Sequence, residues 1–290
     1  MKFLFCENIL KPNTVDEAFI EEYACAIKNG FGILFYNFEK KSTTHIKKND
    51  KMETIIYRGW MMKPIEYRKM YNDLLSKNYR LINNPTEFQN CHYLLDSLKF
   101  IEKYTPKTIY QKIENKNSIN ELLERAKIFD GKALMVKDYV KSEKHYWDTA
   151  CYVENSKDTK KLTETIHNLI ELRENDFNKG IVIREFIELK NLAKHSKSNM
   201  PLSEEYRLFF YKNELLCVFD YWEEGEYQFE HPHIKAFEQI AKTIESNFFT
   251  MDIAKDTNGN FIIIELGDGQ VSGIPEKGDK NLIYRAIKER

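Results

Sequence analysis

The sequence predicts a mixed fold, with an α/β unit at the start of the chain and an α+β arrangement after it. Short apolar strands alternate with amphipathic helices up to about residue 84, which is typical of a largely parallel sheet. Later strands are joined by tight turns at Lys212-Asn213 and Asn258-Gly259, as in antiparallel hairpins. We therefore predict two domains, residues 1–84 and residues 85–290.

The first domain shows three strand patterns and two helix patterns. The predicted strands are Lys2–Phe5, Phe31–Phe38 and Thr54–Tyr57, and the predicted helices end near Lys28 and span Ile65–Lys77. Asn29-Gly30 ends the first helix. Asn83, Asn84 and Pro85 mark the domain boundary, because turn residues cluster there.

The second domain begins with helical patterns and continues with hairpins. Ser118, followed by Glu121 three residues later, predicts a capping box at a helix start. The polar stretch Lys190–Glu205 is predicted to be mobile. The other predicted elements are helices Pro85–Lys103, Ser118–Phe129, Lys157–Glu174 and Ile234–Glu245, and strands that begin near Ala133, Gly180, Glu205, Glu214, Phe249 and Phe261.

Composition excludes several classes of protein. Apolar residues make up 42% of the 290 residues and the formal net charge is -1, which indicates a folded globular chain with no global attraction to nucleic acid or to an anionic membrane. The N-terminal apolar run is too short for a signal peptide, and no segment is long enough to span a bilayer. The five cysteines have no metal-ligand spacing, so we expect a reduced, cytoplasmic protein without a membrane partner.

Carboxylates stand at the end of the last hairpin. Counting back equally from the turn at Asn258-Gly259 places Asp252 opposite Glu265, and Asp268 follows between two glycines. Neighbouring carboxylates repel each other unless a cation lies between them, and Mg²⁺ prefers hard oxygen ligands. These three acids are therefore candidate metal ligands. A solvent-facing Asp252 and an Asp268 that only stabilises a turn fit the pattern equally well.

Basic residues in and after apolar strands are candidates for binding phosphate. Lys137 ends the strand ALMV, and Lys141 follows in a polar loop. Arg207 lies in the apolar strand EYRLFF, where its charge requires a buried or active-site partner. The alternatives are an edge lysine in a solvated charge run, and a structural salt bridge between Arg207 and Glu185 or Glu265. After the strand GIVI, Glu185 or Glu188 could accept hydrogen bonds from ribose hydroxyls.

Taken in order, the motifs VKDYVKS, IVIREFIEL, EYRLFF, TMDIA and IIELGDGQVSG resemble the ATP-grasp superfamily. The likeness is to the R2K clade, named for an arginine and two lysines, and to its family 3. RGWMM and NNPTEFQNCHY are similar to the N-terminal part of that group. The resemblance implies an ATP-grasp fold, with a small pre-ATP-grasp α/β domain followed by two lobes that hold the nucleotide between them.

The resemblance also implies roles for individual residues. Lys137 matches the strand-borne phosphate lysine, and Lys107 is the candidate for the other lysine. Arg207 matches the arginine near the transferring phosphate, so Arg207 and Lys137 are the predicted catalytic residues. The segment Glu185, Phe186 and Ile187 would contact adenine, with Glu188 on ribose; Asp252 and Glu265 would ligate magnesium, with Asp268 where many relatives carry asparagine. Cys91-His92 stands where many members carry a lysine.

The function implied is an Mg-ATP-dependent ligase that joins a carboxylate to an amine or a thiol through an acyl phosphate. ATP and Mg²⁺ are the expected cofactors, and the substrate would be a small molecule, a peptide or a protein. A nucleotidyl-transferring ligase, a kinase-like enzyme and an ATP-binding module without turnover are alternatives. Arg58 in RGWMM is a candidate to grip a substrate carboxylate, with packing of this segment into the core as the alternative.

Overall fold

The computed structural model describes residues 1–140, 142–174, 177, 180–194, 196, 201–227 and 234–290. The chain forms two compact units. Unit 1 contains Met1–His92, Leu192–Ile253 and Leu266–Arg290, and unit 2 contains Tyr93–Asn191 and Ala254–Glu265. Each unit combines segments that are distant in the sequence, so no single boundary separates the two units. The predicted domain division at residue 84 stays a prediction.

The described residues form strands and helices along the whole chain. In chain order the strands are β1 Lys2–Cys6, β2 Gly32–Tyr36, β3 Glu53–Arg58, β4 Tyr79–Leu81, β5 Thr108–Lys112, β6 Leu134–Asp138, β7 Tyr152–Val153, β8 Gly180–Glu185, β9 Asn191–Lys194, β10 Pro201–Ser203, β11 Glu205–Tyr211, β12 Glu214–Asp220, β13 Phe248–Lys255 and β14 Phe261–Asp268. The α-helices are α1 Ile20–Lys28, α2 Pro64–Leu75, α3 Pro85–His92, α4 Leu94–Ile101, α5 Lys116–Ala126, α6 Thr159–Arg173, α7 Ile234–Ala241 and α8 Asn281–Lys288.

A parallel sheet organises the N-terminal part of unit 1. Its strand order is β2-β1-β3-β4, and every pairing is parallel. Side chains of β1 alternate between two cores: Leu4 and Cys6 lie in one cluster, and Phe3 and Phe5 lie in the other. The α/β prediction is confirmed. The sequence did not indicate β4, because three residues are too few to show a period.

Two further sheets follow along the chain, and strands β11 and β12 pair in an antiparallel manner. The sheet β12-β11-β13-β14 is closed at one hairpin by Lys212 and Asn213, which both have positive φ angles of 49° and 63°. This geometry is that of the predicted hairpin turn. Strands β9 and β10 form a two-stranded sheet inside the stretch Lys190–Glu205, and the mobility of this stretch stays a prediction.

Unit 2 is built on the antiparallel sheet β5-β8-β6-β7. Helices α5 and α6 cover one face, with Leu122, Leu162 and Ile166 fully buried against the sheet. Two predictions about helices in this part of the chain are wrong. The predicted helix Pro85–Lys103 breaks at Tyr93, which is extended, and α5 begins at Lys116 because the Asn115 side chain accepts hydrogen bonds from the backbone N–H groups of Asn117 and Ser118.

The helices among the described residues are short or polar. None of them combines sufficient length with sufficient hydropathy to span a bilayer.

Candidate functional site

Two basic side chains share one face of the sheet in unit 2. Lys137 pairs with Val182 across the β6–β8 ladder, and Arg184 pairs with Met135. Residues directly opposite in an antiparallel ladder lie on one face, and so do residues two apart on one strand. Lys137 and Arg184 therefore lie on the same face, which is not the face packed against α5 and α6. Both are buried, with exposures of 8% and 7%.

Glu265 and the preceding residue, Ile264, contact these two cations. The Lys137 ammonium lies 3.6 Å from the Glu265 carboxylate. Arg184 donates from Nη1 to the carbonyl of Ile264 at 2.7 Å and from Nη2 to the hydroxyl of Thr105. Thr105 in turn donates to the carbonyl of Ile263 at 2.7 Å. The face thus holds two buried cations close to one carboxylate.

The charge of Arg184 is only partly compensated. Burial lowers the pKa of its guanidinium to about 10, and the charge of Glu265 acts in the opposite direction. Within the described part of the chain, the buried Nε atom of Arg184 has no hydrogen-bond partner. A buried donor without a partner costs free energy, and an anion on this face would supply the missing acceptor. Sequence reasoning missed Arg184, although the argument used for Arg207 applies to any arginine in an apolar strand.

Other predicted nucleotide residues lie around the same sheet. The Lys107 ammonium donates to the Ile128 carbonyl at 3.1 Å, and the Lys107 carbonyl accepts from the Glu185 backbone at 2.8 Å. The Glu185 carboxylate pairs with Lys132 at 2.5 Å. Lys107 and Glu185 therefore meet at the end of the β5–β8 pair.

An aromatic cluster follows β8. Phe186 lies edge-on to Tyr152 at 5.1 Å and to Trp147 at 5.8 Å, and Trp147 stacks on Tyr152 at 5.1 Å. All three rings are half-buried. Flat half-buried rings beside a strand end present a π surface that suits a planar base. Trp147 and Tyr152 were not among the predicted site residues.

The remaining residues of the predicted adenine segment differ in exposure. Ile187 is half-buried and Glu188 is exposed. The Glu188 carbonyl accepts a hydrogen bond from Thr257 at 3.2 Å. The predicted phosphate-binding residue Lys141 lies outside the described residues.

Arg207 forms a bidentate ion pair in unit 1. Its Nε and Nη2 donate to the two oxygens of Asp252 at 2.8 and 2.7 Å, the bidentate geometry of a strong arginine–carboxylate pair. Nη1 donates to the Gly273 carbonyl at 2.8 Å, and the guanidinium lies over the Tyr221 ring at 4.8 Å. The predicted need of Arg207 for a partner is therefore met by Asp252, a pairing that the sequence did not suggest.

Asp268 belongs to a buried network in unit 1. It is 1% exposed and accepts hydrogen bonds from Asn83 Nδ2 at 2.6 Å and from the Gln270 backbone at 2.9 Å. Gln270 also donates to the Tyr67 hydroxyl at 2.7 Å. These contacts tie the end of β14 and the residues after it to the loop after β4 and to α2, and they favour a structural role for Asp268 over metal ligation.

Burial also changes the ionisation of Asp268. It raises the pKa of this carboxyl to about 7, although hydrogen bonds from Asn83 and Gln270 act in the opposite direction. The folded state therefore binds a proton that the unfolded chain loses near pH 3.9. The stabilisation from this group is complete below about pH 3.9 and is lost by the time the pH has risen through about 7.

We accordingly expect an Asp268→Asn variant to remove a pH dependence. Between pH 5 and 7 the wild-type free energy of unfolding should fall relative to the variant by about 1.4 kcal/mol per pH unit, with no further relative change above pH 8. Urea denaturation in metal-free buffer at each pH measures this difference. The absolute stability of the variant is not the readout, since its amide nitrogen would face the Asn83 amide. Parallel pH profiles would refute the protonated Asp268.

The predicted metal ligands divide between the two units. Asp252 belongs to unit 1 and pairs with Arg207, whereas Glu265 belongs to unit 2 and pairs with Lys137. Among the described residues, no group of three or more histidine, cysteine, aspartate or glutamate side chains is placed to hold a metal ion. The donor chemistry of Asp252 and Glu265 fits Mg²⁺. Their role as ligands stays a prediction.

Arg58, the candidate substrate residue, is buried with a partner of its own. Its exposure is 2%, and its Nε and Nη2 donate to the two Glu22 oxygens at 2.7 and 2.8 Å. Its Nη1 donates to the carbonyls of Gly269 and, at 2.9 Å, Ser272. These contacts favour the packing alternative.

Sequence comparison gives one family match. A family model described as "ATP-grasp domain, R2K clade family 3" matches residues 130–287, more than half of the 290-residue chain. The match agrees with the family that the ordered motifs resemble, and it includes Lys137, Arg184, Arg207, Asp252 and Glu265. Among curated proteins, no sequence matches significantly.

Solved structures share the fold. The chain is similar to a RimK domain ATP-grasp protein from Sphaerobacter thermophilus (TM-score 0.62, 10% identity, 99% of this chain and 98% of that chain). It is also similar to the D-cycloserine synthetase DcsG (0.61, 10%, 100% and 99%). A third neighbour is the ATP-grasp ligase PsnB with a phosphomimetic variant of its minimal precursor, Mg and ADP (0.59, 10%, 100% and 99%). At these identities the likeness shows the fold, and the ATP-grasp prediction is confirmed.

Proposed function

Because the chain belongs to family 3 of the R2K clade of ATP-grasp domain proteins, we propose that it is an ATP-dependent ligase that activates a carboxylate as an acyl phosphate. The observation that carries this proposal is the family match over residues 130–287. The matched segment includes the Lys137–Glu265 and Arg207–Asp252 ion pairs. We further propose an amine as the nucleophile, with a thiol as the alternative.

The reaction has two balanced steps. In the first, a carboxylate oxygen of the substrate attacks the γ-phosphorus of ATP, and the bond to the bridging oxygen breaks, so that ADP leaves with the electron pair. In the second, the amine nitrogen attacks the acyl carbon and phosphate leaves with the C–O electron pair. The nitrogen loses one proton to phosphate or solvent, and the products are an amide, ADP and phosphate.

Residues of unit 2 would bind the nucleotide. Lys137 and Arg184 are buried cations on one sheet face, and phosphate oxygens would supply an acceptor for Arg184 Nε, which has none in the described part of the chain. Phe186, with Trp147 and Tyr152, offers aromatic surface for adenine. Lys107, Glu185, Ile187 and Glu188 remain proposed nucleotide contacts on the strength of the family motif, with Glu188 exposed and able to reach ribose.

Charge stabilisation at the transferring phosphate is the proposed role of Arg207. Its planar guanidinium is held by both Asp252 oxygens and by the Gly273 carbonyl, so that it is already oriented before substrate arrives. Asp252 and Glu265 would hold Mg²⁺, which neutralises charge on the phosphates when it is bound. We expect the reaction in the cytoplasm.

The proposal is tested by the phosphorus products. We expect the protein, incubated with Mg-ATP and a nucleotide-depleted cell extract, to release ADP and phosphate in ³¹P NMR spectra, and Asp252→Asn to release neither above the extract alone. AMP and pyrophosphate would indicate nucleotidyl transfer instead. Nucleotide binding without any turnover, measured in the same samples, would favour a binding module.

The substrate class is a proposal that is supported by the names of the structural neighbours. DcsG is named as a synthetase of a small molecule, and PsnB is described in complex with a minimal precursor. We propose that this chain likewise acts on a small molecule or a peptide. Mass spectrometry of the extract components that change as ATP is consumed would identify whether the substrate is a small molecule or a peptide.

A further inference from the structure

A buried acidic residue directly follows the proposed phosphate lysine. Asp138 is fully buried, and the proposed reaction does not use it. Leu134 and Val136 lie in the core cluster shared with α5 and α6, and Asp138 stands two residues further along β6. Residues two apart on a strand face the same side, so Asp138 faces the helices, whereas Lys137 faces the side proposed to bind the nucleotide. A carboxylate buried to this extent requires a paired cation.

The cation comes from the end of α6. Leu162, Ile166 and Leu169 form the buried stripe of this helix. Arg173 stands four residues after Leu169 and continues that stripe in the last turn, where a positive charge also suits the helix dipole. Its Nε donates to Asp138 Oδ2 at 3.2 Å, and its side chain is 14% exposed. The apolar contact between α6 and β6 therefore ends in a buried ion pair.

The same guanidinium reaches past the end of the strand. Arg173 Nη1 donates to Glu143 Oε1 at 3.2 Å, and the Glu143 side chain is 19% exposed. Asp138 ends β6, and Glu143 lies at the other end of the connection that follows it, directly before the short 3₁₀ helix Lys144–Tyr146. One planar guanidinium thus holds both ends of this connection.

Other contacts fix the first residues of the connection. The Val140 backbone N–H donates to Asp138 Oδ1 at 2.7 Å, so the two Asp138 oxygens hold different groups. Tyr139 is 8% exposed and lies in one core cluster with Leu94 and Val182. Val182 is the residue opposite Lys137 in the β6–β8 ladder, so this cluster lies on the lysine side of the sheet. The backbone around Lys137 is therefore held from both faces.

We propose that Arg173 is a positioning residue for the nucleotide phosphates, because it clamps Asp138 and Glu143 and so fixes the connection that follows Lys137. The inference rests on the proposed function, since the position of Lys137 matters to phosphates only when ATP binds there. A lysine has a flexible stem, and a fixed backbone beneath it reduces the entropy lost when its ammonium meets a phosphate. Arg173 also neutralises two carboxylates that would otherwise repel the phosphates.

Glu143 is the position at which the clamp can be tested. Arg173→Met would leave Asp138 buried without its cation, and a failure to fold would then hide any effect on ATP. Glu143→Met leaves the buried pair intact and removes only the second anchor. Glu143→Gln keeps an acceptor oxygen for Arg173 Nη1 and serves as the conservative variant. Glu114→Met, the matched control, removes a carboxylate that is 61% exposed in the same unit.

The first measurement is calorimetric titration of the full chain with Mg-ATP and, separately, with adenosine, which carries no phosphate. We expect Glu143→Met to weaken Mg-ATP binding about fivefold, the effect of a partly exposed ion pair, and to leave adenosine binding unchanged. Glu143→Gln and Glu114→Met should stay within about twofold of the wild type. Loss of a negative charge alone would strengthen ATP binding, so unchanged or tighter binding by Glu143→Met would overturn the proposal. Equal weakening of ATP and adenosine would also overturn it.

The second measurement needs no nucleotide. Exchange of the Val140 backbone amide proton for deuterium, followed by NMR, should be faster in Glu143→Met than in the wild type, because the connection has lost one of its two anchors. Glu114→Met should show wild-type exchange. Unchanged exchange in Glu143→Met would mean that Glu143 does not anchor the connection, and it would overturn the clamp.

These results separate the clamp from the ligase proposal. Weaker Mg-ATP binding by Glu143→Met, with no release of ADP by the wild type in the extract, would support the clamp and contradict the ligase. Release of ADP with equal ATP affinity in the two proteins would overturn the clamp alone. Absence of Mg-ATP binding by the wild type would overturn both.

Discussion

Replacing Arg58 with methionine is expected to lower the free energy of unfolding by about 3–5 kcal/mol. Glu22 is 5% exposed, and after the substitution its carboxylate would keep only the hydrogen bond from the Tyr284 hydroxyl at 2.6 Å among its described side-chain partners. Burial on its own would lower the pKa of Arg58, yet the pairing with Glu22 outweighs it and raises that pKa. The loss comes mainly from the charge left behind.

A double variant separates that penalty from the value of the pair. Arg58→Met combined with Glu22→Gln removes both charges, and we expect it to recover at least about 2 kcal/mol of the loss, because no buried charge is left uncompensated. Lys127→Met is the matched control, since its partner Glu124 and Lys127 itself are 71% and 66% exposed and such pairs contribute at most about 1 kcal/mol. Urea denaturation measures all three. A loss below about 1 kcal/mol in Arg58→Met would contradict the prediction.

Arg58 is expected to affect activity as well as stability, because it holds the segment after β14 in place. Its Nη1 donates to the carbonyls of Gly269 and Ser272, next to the Gly273 peptide that orients Arg207. The buried pair in the N-terminal sheet therefore helps to fix the backbone on which the proposed catalytic arginine depends. We expect the single variant to lose ADP formation together with stability.

The parts of the fold that depend on local pattern could be predicted from the sequence. The alternation of strands and helices before residue 84 predicts the parallel sheet. The Lys212-Asn213 turn predicts the β11–β12 hairpin, because asparagine is one of the few residue types that readily adopt a positive φ. The break at Tyr93 could not be predicted, because the apolar periodicity continues through it. There the Leu94 backbone N–H donates to the Tyr139 carbonyl at 3.4 Å, a contact made by tertiary structure.

In the candidate site, too, single residues could be predicted from the sequence and their distant partners could not. A charged residue in an apolar strand is visible in the sequence, which is why Lys137 and Arg207 were found and why Arg184 should have been. Its partner is not visible: Arg207 and Asp252 are 45 residues apart, and Asp268 and Asn83 are 185 apart. The buried environment of Asp268 comes from those distant partners, so the residue pattern left metal ligation and a turn-stabilising role equally open, whereas the contacts favour a structural residue.

Arg184 provides the second large expected effect, on nucleotide affinity. We expect Arg184→Met to weaken ATP binding by about 30-fold or more, equivalent to about 2 kcal/mol, because the buried guanidinium has an Nε without a hydrogen-bond partner among the described residues and can donate to phosphate oxygens. ATP should consequently stabilise the variant far less than it stabilises the wild type in thermal unfolding. Lys127→Met, which removes one exposed positive charge from the same unit, should leave the ATP effect unchanged.

Stability without ATP decides between a binding role and a structural role for Arg184. The substitution removes a desolvated charge, which is favourable, and it removes donors to the Ile264 carbonyl and the Thr105 hydroxyl, which is not. Because these effects oppose each other, we expect the free energy of unfolding to change by no more than about 1 kcal/mol. A loss above about 3 kcal/mol with unchanged ATP affinity would make Arg184 a structural cation. A small change combined with lost ATP stabilisation would place it in the nucleotide site, since an arginine kept buried without benefit to the folded chain must be retained for what it binds.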